Sequence, residues 1–263
     1  MKLFVVLALM LINCVIENLA HAARVAGVRT QRLMLANSLF NLFLMGAGLA
    51  MGIQSPLVNN LVDVAVLHHA VAQVLWYCRL IITTRCLGYV LGMFLIPWFA
   101  SVMEVGIAAM EKNGGLLFDA LLEYASWRGL RTISRQFAVF NWRDLRAAWQ
   151  QPYPRRVFYT ATFVAAFYLA VEMAALYASA LVPELPRTAI ALSTALRGIG
   201  TILFVFLVDP FTAMIIDKAA ARELALEHAM HITVWLSGGK ALGAAGAQVL
   251  LVPMALIITE LIA

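Results

Sequence analysis

Six apolar runs, each long enough to cross a bilayer, restrict this chain to one kind of fold. A spanning helix needs about 20 consecutive, mostly apolar residues. Such runs fall at roughly 3–22, 33–53, 80–103, 157–181, 188–208 and 242–262. Only 13% of the residues are charged and 63% are hydrophobic, whereas soluble domains carry about 25% charged residues. The expected fold is therefore an all-α polytopic membrane protein in a single transmembrane domain, 1–263. It comprises about six transmembrane helices, a basic amphipathic cytoplasmic segment and a short outer loop helix.

The N-terminus imitates a secretory signal. Lys2 precedes an apolar run and then Ala20-His21-Ala22, an A-x-A-like site. The run continues through Val15 and Ile16, and the region reads better as a helix end. Pro183 and Pro186 in "VPELPRT" mark the turn between the fourth and fifth spans. Pro97 is expected to kink the third span or end it early.

Lys and Arg are unevenly shared between the loops. The first loop holds Arg24, Arg29 and Arg32, the third (104–156) holds eight more, and the fifth holds Lys218, Arg222 and Lys240. Lys2 and Arg187 lie on the other side. The positive-inside rule then puts loops one, three and five in the cytoplasm and both termini outside. In the third loop, apolar and aromatic residues from Leu117 to Phe137 recur every three or four positions, with Arg128, Arg131 and Arg135 on another face. That pattern reads as a basic amphipathic helix at the membrane interface, attracting anionic membrane lipids. The second loop, 54–78, mixes Gln54, Asn59, Asn60, Asp63, His68 and His69 with apolar residues. It reads as a short outer helix or a re-entrant piece.

Ionisable groups inside a bilayer are costly and face a partner or a polar interior. Glu17, Arg85, Glu172 and Arg197 lie well inside spans. Asn13, Glu17 and His21 are spaced four apart and share one helix face, with Arg24 three residues on. Two readings stand side by side: structural ion pairs joining Arg197 to Glu172 or Glu17, and an internal cationic site for an anionic ligand. Guanidinium groups bind phosphates bidentately, and charges arriving from several spans favour the second reading. Gly46, Gly48, Gly52, Gly198 and Gly200 are expected to let helices approach closely.

Enzyme and metal signals are weak. His228 and His231 in "EHAMHI" are better explained by an interfacial helix than by metal ligation, and the His68-His69 doublet points to two faces. HExxH, GxSxG and phosphate-loop motifs are absent from the sequence. Cys14, Cys78 and Cys86 form no CxxC pair and read as packing residues. No catalytic residue, metal, cofactor or nucleic-acid partner is expected, and any driving energy comes from an ion gradient, the membrane potential or mass action.

"ENLAHAARVAGVRTQR", "SLFN" and "IQSP", followed later by "GMFLIPWF" and "LRGIGTILFVFLVDP", resemble the Amj family of alternate lipid II flippases. The resemblance covers most of the chain in order, and Arg24-Val-Ala-Gly-Val-Arg29-Thr30 is its most distinctive block. The basic loop 104–156 departs from the family pattern. The resemblance implies a flippase that moves lipid II, the undecaprenyl-diphosphate-linked peptidoglycan precursor, from the inner to the outer leaflet of the bacterial inner membrane. On that reading Arg85 and Arg197 contact the diphosphate inside, and Arg24 and Arg29 capture it at the cytoplasmic entrance. Glu17, His21 and Glu172 compensate charge in the cavity or carry protons. Six spans are few for so large a head group, so an open groove or a homodimer is expected. Rival readings are a transporter of undecaprenyl phosphate, a polyprenyl diphosphate phosphatase, and a scaffold acting through the third loop.

Overall fold

The computed structural model describes residues 2–112, 114, 143, 146, 149–150, 152–183 and 185–262. Within helices, the side chains of Pro152, Pro154, Pro186, Arg187, Ala189, Ser193, Thr194 and Arg197 are outside that description. Most of the basic third loop, including the amphipathic stretch expected at 117–137, lies outside the described residues.

The described chain is helical throughout. The helices are α1 (Lys2–Thr30), α2 (Leu33–Leu67), α3 (Val71–Lys112), α4 (Pro152–Leu181), α5 (Pro186–Leu207), α6 (Asp209–Ala220) and α7 (Glu227–Ile262). In hydrocarbon each backbone N–H and C=O must find its partner within the protein, and a helix satisfies them within one segment. Among the described residues, six stretches are apolar and long enough to cross a membrane. The fifth runs Gly198–Ala220, across the joint of α5 and α6.

The helices outrun the apolar spans expected from sequence. α1 passes through Ala20-His21-Ala22 without a break and ends only at Thr30. The second loop is neither a separate outer helix nor a re-entrant piece. Its first half extends α2 to Leu67, and its second half opens α3 at Val71. Polar residues there interrupted the hydropathy but not the helical backbone. Pro97 lies inside α3, which runs on to Lys112 rather than ending early. Pro186 does begin α5, where its missing N–H costs nothing.

Three turns close by the same device. Gln31, His69 and Arg222 each adopt positive φ, at 59°, 54° and 62°. The next residue's N–H then reaches back to the helix: Arg32 to Gly27 O at 3.0 Å, Ala70 to Ala65 O at 2.9 Å, Glu223 to Lys218 O at 2.9 Å. These are Schellman-type helix ends built without glycine. The His68-His69 doublet is thus the end of α2, with His69 as the left-handed residue.

Packing is densest between α4 and α7, then between α1 and its neighbours α3 and α2. Glycines explain the α4–α7 and α1–α3 seams, though of the glycines expected only Gly200 makes a close approach, on another seam. A Cβ at Gly239 or Gly243 on α7 would lie 2.5 Å from the Phe158 or Thr162 carbonyl oxygen of α4. On α3, a Cβ at Gly88 or Gly92 would lie 2.7 Å from the Cβ of Cys14 or Asn18 on α1. Both pairs are spaced four apart, the small-xxx-small pattern of close membrane helices. Gly46, Gly48, Gly52 and Gly198 meet nothing within 4 Å and hold no seam, while Gly200 packs on Tyr168. Apolar residues such as Met45, Leu49, Ile53, Phe206 and Val249 point outward, as a lipid-facing surface requires.

Candidate functional site

A half-open cavity of about 500 Å³ lies between the helices, and each of the seven described helices contributes to its wall. Asn13, Glu17 and His21 come from α1, Arg85 and Tyr89 from α3, and Asp209 and Lys240 from α6 and α7. The α2 and α5 sides are mostly apolar, with Phe40, Leu44, Met51, Phe204 and Val205. The four-residue spacing of Asn13, Glu17 and His21 carries all three to the same wall.

Arg85 meets Glu172 of α4 in a two-pronged fork, with Nη1 to Oε2 at 2.7 Å and Nη2 to Oε1 at 2.9 Å. Its Nε–H points at the Met10 sulfur, 3.2 Å away. Arg85 is only 3% exposed at its side chain and Glu172 14%. Glu172 therefore reaches the site through Arg85 rather than as a wall residue. Arg24 pairs with Asp209 at 2.7 Å and lies over the Phe40 ring, 3.9 Å from its centroid. This pair ties the C-terminal third of α1 to the α5–α6 joint. Arg29 lies further out and pairs with Glu104 at 2.8 Å, away from the cavity wall. Arg32 pairs with Glu111 beyond it. Arg197 lies on α5, and its side chain is outside the description.

Lys240 is the cavity residue that sequence reasoning missed. By sequence it falls among the cationic residues of the fifth loop, but α7 begins at Glu227 and carries Lys240 into the bundle. Its Nζ donates to Glu17 Oε1 at 2.9 Å and lies 3.3 Å from His21 Nε2. It also lies 5.2 Å from the Phe204 ring centroid. The Tyr89 hydroxyl donates to the other Glu17 oxygen at 3.4 Å. Behind them, Ser237 donates to Asn18 Oδ1 at 3.0 Å, and Asn18 donates to the Tyr89 carbonyl at 2.8 Å. One signal for Lys240 was its setting, "SGGKALG". A lysine between two glycines four apart sits in a helix seam, not in a loop.

Buried ion pairs contribute little net stability, because desolvation consumes most of the Coulombic gain. Three partly buried pairs around one cavity, Arg24–Asp209, Arg85–Glu172 and Lys240–Glu17, make it a charged interior within an apolar shell. The cations are balanced by carboxylates that an anionic ligand can displace or that a proton can neutralise.

These features define a polytopic membrane protein with a charge-lined internal cavity. The family model for Amj, described as alternate to MurJ, matches residues 9–262. The chain belongs to the Amj family. It is similar to the lipid II flippase Amj of Bacillus subtilis (strain 168), with 27% identity over 251 residues, covering 95% of this chain and 93% of that protein. No solved structure matches the chain.

Proposed function

We propose that this protein is a lipid II flippase, a transporter rather than an enzyme. One observation carries the reading: a chain of the Amj family, aligned almost end to end with a protein of that name, holds a half-open cavity reached by cations and carboxylates from different helices. Lipid II joins an anionic diphosphate to a bulky polar head and a tail that stays in the lipid. A flippase for it needs a polar path across the bilayer and cations for the diphosphate.

In this reading Arg24 and Arg29 capture the diphosphate at the cytoplasmic entrance, Arg197 contacts it inside, and Arg85 joins that contact when its fork with Glu172 opens. Glu17, His21 and Glu172 balance these charges when the site is empty or carry protons. Loops one, three and five face the cytoplasm of the bacterial inner membrane and both termini face outside. The basic third loop holds anionic lipids. A volume of about 500 Å³ takes the diphosphate but not the disaccharide-pentapeptide with it. The head group therefore passes in a wider form of the bundle, or in a groove shared by two protomers.

Purified protein in vesicles loaded with lipid II tests the reading. Lipid II should become accessible to an external probe, and Arg197→Gln should abolish that without loss of folded protein. Movement of undecaprenyl phosphate with lipid II left behind would replace lipid II by that lipid.

A further inference from the structure

Among the described side chains Arg85 is the most deeply buried cation of the cavity, and three of its five N–H groups are already engaged. Both terminal nitrogens serve Glu172 and Nε–H faces the Met10 sulfur. Releasing that fork breaks two charge-assisted hydrogen bonds to Glu172, only 14% exposed at its side chain. Lys240 is held differently. It meets one oxygen of Glu17, whose side chain is 32% exposed, and the other oxygen has only a long contact with Tyr89. A carboxylate open to the cavity can turn away at less cost than one enclosed in a fork.

The neighbouring histidine is primed by Lys240. An ammonium group has three donors and no acceptor, so the His21 Nε2 that it faces at 3.3 Å acts as acceptor. The imidazole proton then sits on Nδ1. That Nδ1 is buried, belongs to a residue 3% exposed, and has no hydrogen-bond partner. One helical turn before Glu17, Asn13 Oδ1 is likewise buried and unpartnered, on a residue 5% exposed. Buried polar atoms without partners are rare and costly. The residues that carry the cation, the spare donor and the spare acceptor line one cavity, and once the two buried atoms turn toward it they complement a phosphate bearing a polar substituent.

We infer that Lys240 and the Nδ1–H of His21 join the arginines as donors to the phosphate oxygens of the substrate lipid, with Asn13 Oδ1 accepting from its head group. Glu17 occupies Lys240 when no lipid is bound and yields it on binding. The inference rests on the flippase reading for its lipid, but the chemistry it assigns is that of any polyprenyl phosphate.

The test measures lipid retention by the purified full-length protein, using native mass spectrometry with undecaprenyl diphosphate, undecaprenyl phosphate and undecaprenol. Wild-type protein and an Arg222→Gln control should hold both phosphorylated lipids at least about ten-fold more tightly than undecaprenol, the scale of one charge-assisted hydrogen bond. Lys240→Gln should remove that preference. Because Lys240→Gln strands the Glu17 charge, the neutral double variant Lys240→Gln/Glu17→Gln decides the matter if the single variant fails to fold. It should hold all three lipids alike. Glu17→Gln alone should tighten retention of the phosphorylated lipids several-fold, a direction that loss of a structural ion pair does not produce. His21→Leu should weaken retention by a smaller factor. A double variant with wild-type preference, or a wild-type protein with none, overturns the inference. Wild-type retention of phosphorylated lipids without lipid II movement in vesicles overturns the lipid II reading and leaves the Lys240 site standing.

Discussion

Arg85 and Glu172, 87 residues apart in the chain, lock α3 to α4 through two parallel hydrogen bonds of 2.7 and 2.9 Å. Bidentate geometry makes this the strongest kind of ion pair, and its burial makes a lone survivor expensive. Arg85→Gln should therefore destabilise the protein by about 3–5 kcal/mol, whereas Arg85→Gln/Glu172→Gln should recover most of the loss. Thermal unfolding in detergent across the double-mutant cycle checks this. Additive losses would mean that the two residues are not coupled.

The Arg24–Asp209 pair allows structure and function to be separated. Exchanging the charges, Arg24→Asp/Asp209→Arg, should restore the ion pair and the melting temperature lost in Arg24→Gln. Lipid II translocation should stay low, because the cation has left its place on α1. If the exchange restores translocation as well, Arg24 serves only to hold α1 against the α5–α6 joint.

Glycines divide into two classes by what surrounds them. Gly243→Val forces a side chain to within about the 2.5 Å that separates its Cβ position from the Thr162 carbonyl oxygen, and should prevent recovery of folded protein. Gly46→Ala and Gly52→Ala enter open space. Each should leave the fold intact and raise stability by up to about 1 kcal/mol through helix propensity. Expression and melting temperature read both outcomes. A damaging Gly46→Ala would show that α2 packs on something at that face.

Exposed turn residues report the orientation. His69 and Arg222 are both exposed, at the ends of α2 and α6. In a Cys86→Ser background, His69→Cys should react with a membrane-impermeant thiol reagent on intact cells, and Arg222→Cys only after the membrane is opened. The reverse pattern would invert the topology. In the same turn, His69→Gly should stabilise the α2 end by about 1 kcal/mol, since glycine escapes the left-handed penalty.

Much of the fold was legible because membrane helices are selected by composition along a single segment. A run of about 20 apolar residues announces itself without reference to its neighbours, so the six crossings could be read directly. Their ends could not. Hydropathy fades at Gln54 and around Ala20-His21-Ala22, but backbone hydrogen bonding continues past both, to Leu67 and Thr30. α1, α2 and α6 stop where a residue takes left-handed geometry, and Gln31, His69 and Arg222 there lack the glycine that usually marks such a point.

The sequence by itself determined that the chain crosses the membrane about six times, belongs with the flippase-like family its motifs resemble, and carries Asn13, Glu17 and His21 on one face of one helix. Helical periodicity is local, so a face needs no tertiary information. Only the tertiary structure decided the partners. Glu172 met Arg85, Asp209 met Arg24, and Glu17 met Lys240 from 223 residues away. Ion pairing acts through space with no periodic signature along the chain. It depends on which seams the glycines close, and those seams, at Gly88 and Gly92 and at Gly239 and Gly243, are set by the shapes of two helices together.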